Sequence, residues 1–167
     1  MRASFCALLL AAVYPTSGAT SSSSTLGPSS AHATNAGSPV SFLRGLRVGK
    51  HPGRDRLVFE FEGKGLPAWS IEYLDDEASD CASGDDARVA GAARLQIRFT
   101  GTRAHTDAGE PTVAPRRRAV KQKAVRELLS TCDFEGEVTW VAGLAGTRPY
   151  RVVALSNPSR LVIDITH

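Results

Sequence analysis

Residues 54–62 read R-D-R-L-V-F-E-F-E, and within them Leu57, Phe59 and Phe61 alternate with Val58, Glu60 and Glu62. A period of two puts three large apolar side chains on one side of an extended chain and mostly polar ones on the other, the pattern of a half-buried β-strand. The same period returns in Trp69, Ile71 and Tyr73, in Leu95, Ile97 and Phe99, in Val138 and Trp140, in Tyr150, Val152 and Ala154, and in Leu161, Ile163 and Ile165. Between these stretches, His51-Pro52-Gly53-Arg54-Asp55, Gly63-Lys64-Gly65, Ala145-Gly146-Thr147 and Ser156-Asn157-Pro158-Ser159 supply Gly, Pro, Asn or Asp where a chain reverses. Short strands at this spacing predict an all-β fold, either an antiparallel sandwich or a small open barrel.

One segment does not follow the pattern. Over residues 119–129, Val120, Ala124, Val125, Leu128 and Leu129 fall at helical spacing, so the residues leave an amphipathic helix and a short strand over 125–129 both open. Two long connections, 75–88 and 101–118, also remain, and connections of that length in a compact domain are functional or disordered.

Working outward toward the N-terminus, residues 20–41 contain Ser, Thr, Ala, Gly and Pro in quantity and no charged residue. Such a stretch cannot bury enough apolar area to offset its ordering entropy, and it is expected to be a flexible tether. Before it, Arg2 precedes an apolar run over 5–13, Pro15 breaks the run, and Ser17-Gly18-Ala19 supplies small residues for cleavage. This predicts an export signal over 1–19, with Thr20 as the mature N-terminus. The run is about half as long as the roughly 20 residues a membrane span needs, so no transmembrane span is expected after processing. Cys6 opens the apolar run rather than following it, which argues against a lipid-modified cysteine. The folded domain is then 42–167.

The whole chain has 167 residues, 42% hydrophobic and 22% charged, which fits one globular domain with tails and excludes a polytopic membrane protein. Twenty Lys plus Arg against seventeen Asp plus Glu give +3, too mild a charge to indicate nucleic acid. Removing the signal leaves two cysteines, Cys81 and Cys132, which in an exported chain are expected to pair. Asp75, Asp76, Glu77, Asp80, Asp85 and Asp86 surround the first, while Arg116, Arg117, Arg118, Lys121, Lys123 and Arg126 precede the second, so a bridge would bring opposite charges together. The acidic loop lacks the offsets of a calcium loop, and no metal is expected there. The basic run lacks interleaved aromatics for stacking on bases; a solvated loop, or contact with phosphate-bearing envelope polymers, accounts for it.

No G-x-S-x-G, H-E-x-x-H, S-x-x-K or P-loop pattern occurs. His51, His105 and Asp107 could meet as base and orienter, but no nucleophile accompanies them and paired cysteines offer no thiol. No enzyme activity and no cofactor are expected. For binding, loops on a rigid scaffold are the usual place, and His51, Arg54 and Asp55 in the turn before the strongest strand, with His105 and Asp107 in a long loop, are the candidates. Their polar side chains suit hydrogen bonding to hydroxyls or carboxylates of a ligand. The plainer alternative is that Arg54, Asp55 and Arg56 tie down a tight turn.

In order along the chain, V-G-K-H-P-G-R-D-R-L-V-F-E-F (48–61), A-H-T-D-A-G-E-P-T (104–112), D-F-E-G-E-V-T-W-V-A-G-L (133–144), R-P-Y-R-V (148–152) and N-P-S-R-L-V-I-D-I (157–165) resemble the AMIN-like domain of secreted and lipid-anchored actinobacterial proteins. The resemblance implies a β-sandwich of the AMIN kind, a module that locates amidases and secretins in bacterial envelopes, with affinity for peptidoglycan or envelope proteins and no known activity. It also implies a strand just before D-F-E-G, which favours the strand reading of 125–129. Many relatives carry a lipid-modified cysteine after the signal; its absence here favours release or wall association over membrane anchoring. The expectation is therefore a secreted, envelope-associated, non-catalytic module for cell-wall polymer or an envelope protein. A structural domain of an envelope complex and a small secreted wall hydrolase are the alternatives.

Overall fold

Each alternating stretch is a strand. The computed structural model describes residues 31–33, 40–63 and 65–167. These form β1 (Ala31–Ala33), β2 (Ser41–His51), β3 (Arg54–Glu62), β4 (Ala68–Leu74), β5 (Ala78–Ser79), β6 (Asp86–Ala87), β7 (Ala93–Thr100), β8 (Thr102–Arg103), β9 (Arg117–Ala119), β10 (Val125–Phe134), β11 (Glu137–Leu144), β12 (Tyr150–Leu155) and β13 (Ser159–Thr166). No helix occurs among the described residues, and residues 119–129 resolve into the end of β9, a short connection and the start of β10. β1 falls inside the segment expected to be a tether. The rest of that segment through residue 39, and the expected signal over 1–19, lie outside the described residues.

Two curled sheets enclose the core. One has the order β1-β4-β7-β11-β10-β9, the other β12-β13-β3-β2-β8, and β5 and β6 form a separate small hairpin. Pairing is antiparallel throughout except between β2 and β8, which run parallel with Ser41 beside Thr102 and Phe42 beside Arg103. β7 passes into β8 through Gly101, whose φ of 72° suits a residue without a Cβ, so the chain turns a corner from one sheet to the other there. The amide of Ser41 donates to Gly101 O and that of Thr102 to Gly136 O, both at 2.9 Å, which closes this corner.

The alternating residues meet between the sheets. Leu57, Phe59, Leu161 and Ile163 from one sheet and Ile71, Leu95, Ile97, Phe99, Trp140 and Leu144 from the other are fully or almost fully buried. Phe99 packs against both Phe59 and Phe61, with ring centroids 5.1 and 4.9 Å apart. A second, smaller core lies on the outer side of the six-stranded sheet. There Val141 packs with Ala78 and Val89, flanked by Leu74, Ala87 and Leu129.

That second core exists because the 75–88 connection folds back over the sheet. Cys81 and Cys132 are bonded, with their Cα atoms 5.2 Å apart, and the amide of Cys81 donates to Thr131 O at 2.9 Å. As the charges predicted, Arg116 Nη2 lies 3.5 Å from Asp80 Oδ2. Other loop carboxylates are used locally: Asp80 Oδ1 accepts from the amides of Ala82 and Ser83, and Glu77 pairs with Arg94. Farther on, residues 89–91 lie hard against β11. A Cβ on Gly143 would stand 2.1 Å from Ala90 O, and one on Gly91 2.4 Å from Leu144 O, so both positions need glycine.

Candidate functional site

The five candidate residues do not share one surface. His51 pairs with Arg54 across the Pro52-Gly53 turn at one end of β2, whereas the chain carrying His105 and Asp107 leaves β8 beside Ser41 and Phe42 at the other end. Ten residues of strand separate the two sites, about 30 Å at the usual rise of about 3.3 Å per residue. β10 spans the same gap from the other sheet, since its first residues contact Asp55 and its last ones contact His105.

At the β2–β3 turn, Asp55 is fully buried. Its Oδ2 accepts from the amides of Ala124 and Val125 at 2.6 and 3.0 Å, and its Oδ1 faces His167 Nε2 at 3.5 Å. It therefore fastens the start of β10 to β3 and has no surface to offer a ligand, so the alternative of a turn anchor describes it better than a binding role. Arg54 does reach the surface. Beside it, Asp164 takes a two-pronged hydrogen bond from Arg56, Nε to Oδ1 at 2.6 Å and Nη2 to Oδ2 at 2.8 Å, with Arg54 Nε 3.2 Å from Oδ2. Burial alone would raise the Asp164 pKa. The Arg56 hydrogen bonds and the charges of Arg56, Arg54 and His51 outweigh it and hold the carboxyl below its ordinary value. The Arg56 pKa is raised by the same contact.

At the opposite end, the residue that orients His105 is Asp133 rather than Asp107. His105 Nδ1 lies 2.9 Å from Asp133 Oδ2, while Asp133 Oδ1 accepts from the amide of Ala104 at 3.0 Å. This leaves the Nε2 edge of the ring uncommitted to that pair. Asp107 instead pairs with Arg103 at 3.0 Å and is almost wholly exposed. His105 lines a groove of about 300 Å³ together with Asp80, Ala82, Gly109, Pro111, Arg116, Asp133, Phe134 and the half-cystine Cys81. Phe134 is 62% exposed, a large aromatic surface at the rim. It sits where Glu135 and Gly136, both with positive φ, make the two-residue turn between β10 and β11.

The groove offers an oriented imidazole, a guanidinium, carboxylates and an aromatic face. None of its lining residues carries a hydroxyl or a free thiol, so no side-chain hydroxyl or thiol stands in it beside the His105–Asp133 pair. What the arrangement can do is donate and accept hydrogen bonds beside an apolar platform. Sequence reasoning missed Asp133, Arg116 and Phe134 as partners of His105. The visible signal was D-F-E-G, an acidic and an aromatic residue placed just before a tight turn.

A family model described as the AMIN-like domain matches residues 41–167. No curated protein and no solved structure matches the chain.

Proposed function

The chain belongs to the AMIN-like domain family, and on that premise we propose that it is a non-catalytic, exported module that holds to the cell envelope through peptidoglycan or an envelope protein. The observation that carries this reading is the extent of the family match, which takes in β2 to β13 and leaves out only the N-terminal segment and β1. Two features of the molecule support it. The disulfide suits an oxidising, extracytoplasmic location. The groove beside it is open and mixed in character, with His105, Arg116 and Phe134 placed to hold a polar ligand against an aromatic face.

Co-sedimentation of the purified, exported chain with purified cell walls tests the proposal. Wild-type protein is expected in the pellet, and His105→Ala with Phe134→Ala is expected to release most of it while the unfolding midpoint holds. Retention that ignores the double substitution moves the contact away from the groove. Absence of wild-type retention refutes the wall-binding reading and leaves a protein partner.

A further inference from the structure

The outer face of the five-stranded sheet carries a charge pattern that neither the groove nor the family explains. Cross-strand register sets Arg151 beside Asp164 and Asp164 beside Arg56, and one step along β3 it sets Arg54 beside Thr166. Lateral neighbours share a face, and the intervening residues Leu57, Ile163 and Ile165 point into the core. Continuing along the same face, Arg47 pairs with Glu60 at 2.9 Å and Arg44 with Glu62, two neutral couples. Arg160 lies beside Glu60, which Arg47 already holds, so Arg54, Arg56, Arg151 and Arg160 face only Asp164 and that shared carboxylate. Among the described residues, exposed Arg151 forms no ion pair and Arg160 bonds only the nearby carbonyl of Pro158. Arg56 spends Nε and Nη2 on Asp164 and Arg54 faces it through Nε, so their remaining guanidinium nitrogens stay available.

In the basic run at 116–126, which attracts attention in the sequence, Lys121, Lys123 and Arg126 are exposed, but its first three arginines have little of this freedom. Arg116 is engaged with Asp80 and the Ser130 carbonyl, Arg117 with Glu127 and the Arg88 carbonyl, and Arg118 with the Leu46 carbonyl. The exposed acidic residues Asp75 and Asp76 follow β4 of the other sheet, and among the described residues neither is ion-paired with the arginine face.

We propose that Arg54, Arg56, Arg151 and Arg160 form a second binding surface, for an extended polyanion whose repeating groups are phosphodiesters. The cations are all arginine, whose planar fork meets phosphate oxygens two at a time where lysine offers a point charge. They spread over three adjacent strands, β12, β13 and β3, at lateral steps of about 4.8 Å, which suits a chain lying across a sheet better than one small anion. A bilayer is the poorer occupant. Among the described residues the exposed large apolar side chains are Val40, Phe134 and Leu155, and a lone leucine on this face gives no anchor. The surface is separate from the groove and does not depend on wall retention through it.

The test titrates the full exported chain with a soluble glycerol-phosphate polymer at several salt concentrations. Four arginines releasing counterions at about 0.7 per charge, the single-strand value, give a slope of log affinity on log salt near −3, or about fiftyfold weaker binding at 200 than at 50 mM. Arg54→Gln with Arg151→Gln should flatten the slope to about half and weaken binding at least tenfold, with the unfolding midpoint unchanged. Arg151→Gln with Arg160→Gln, which leaves the Asp164 contacts intact, should do the same if the first pair perturbs folding. Absent binding, binding that both double variants retain, equal affinity for polyglutamate, or preference for phosphatidylglycerol vesicles overturns the proposal. Retention on peptidoglycan stripped of phosphate polymers reports the groove and is expected to be the same for wild type and both variants, so either reading can fail alone.

Discussion

Asp55→Ala separates an anchor from a ligand contact. In the native protein its Oδ2 takes two backbone N–H groups, from Ala124 and Val125, at a fully buried position. Hydrogen bonds to a charged partner contribute about 1.5–3 kcal/mol each, and truncation leaves both donors buried without an acceptor, so the substitution should cost about 3–5 kcal/mol. That is a large part of the roughly 5–15 kcal/mol a domain possesses. With a urea dependence of about 2 kcal/mol per molar, the unfolding midpoint should fall by about 1.5–2.5 M. Asp55→Asn keeps one carbonyl oxygen for the two amides but loses the charge, and should cost about 1–2 kcal/mol. Equilibrium urea unfolding followed by tryptophan fluorescence reads both, since Trp140 lies in the core. If Asp55→Ala leaves the midpoint within a few tenths of a molar while wall retention drops, Asp55 is a binding residue and the anchor argument is wrong.

Gly143→Ala should destabilise by about 1–3 kcal/mol in thermal melts, because the new methyl meets backbone rather than a side chain that can swing away; an unchanged melting temperature would mean that residues 89–91 do not lie against β11. Exported protein denatured without reductant should show no free thiol from Cys81 or Cys132, and replacing both by serine should cost up to about 4 kcal/mol for a loop of 51 residues. The Asp164 carboxyl is held below its ordinary value in the folded state, so its contribution is complete above the ordinary carboxylate range near 4 and is lost as pH falls toward the lower folded value. Asp80, lowered chiefly by the amides of Ala82 and Ser83, adds in the same direction. Asp164→Asn should therefore flatten the loss of stability below about pH 4, and an unaltered acid profile would remove Asp164 from this role.

The strands were legible wherever one face meets the core and the other meets water. β3 and β7 show this best: Leu57, Phe59 and Phe61, and likewise Leu95, Ile97 and Phe99, alternate with half-buried or exposed residues. β10 misleads because it is covered on both sides. Leu128 points into the main core and Leu129 packs against the second one, so a strand acquires the apolar density of a helix face. The cover is the disulfide-pinned 75–88 segment, whose position depends on residues far away in sequence. β2 escaped notice for a different reason, since a bulge between Leu43 and Gly45 breaks its period. β1, Ala-His-Ala, has no large apolar residue to give a signal.

Of the candidate site, the residue types were readable and their grouping was not. Asp107 lies in a loop and His105 in an isolated bridge within it, while His51 and Arg54 are the strand residues that flank the Pro52-Gly53 turn, all at or near the surface. Which end each belongs to is decided by the parallel β2–β8 pairing, a contact across 61 residues that no local pattern encodes. The partner of His105 was hidden in the same way, because the nearer acidic residue, Asp107, turns to Arg103 while Asp133 arrives from another strand. The arginine face depends on register between β12, β13 and β3; a turn fixes the first pairing, but β13 and β3 pair from far apart in sequence, where no local pattern encodes the register.

The central claim is that this AMIN-like chain holds envelope material without altering it. One incubation of the exported protein with purified cell walls, sampled over hours, tests it most directly, with bound protein measured in the pellet and wall fragments in the supernatant. Saturable retention that is constant in time, with no soluble fragments above a protein-free control, is the result expected. Steady accumulation of soluble fragments, or retention no greater than that of an unrelated folded β-domain of equal charge, would contradict it.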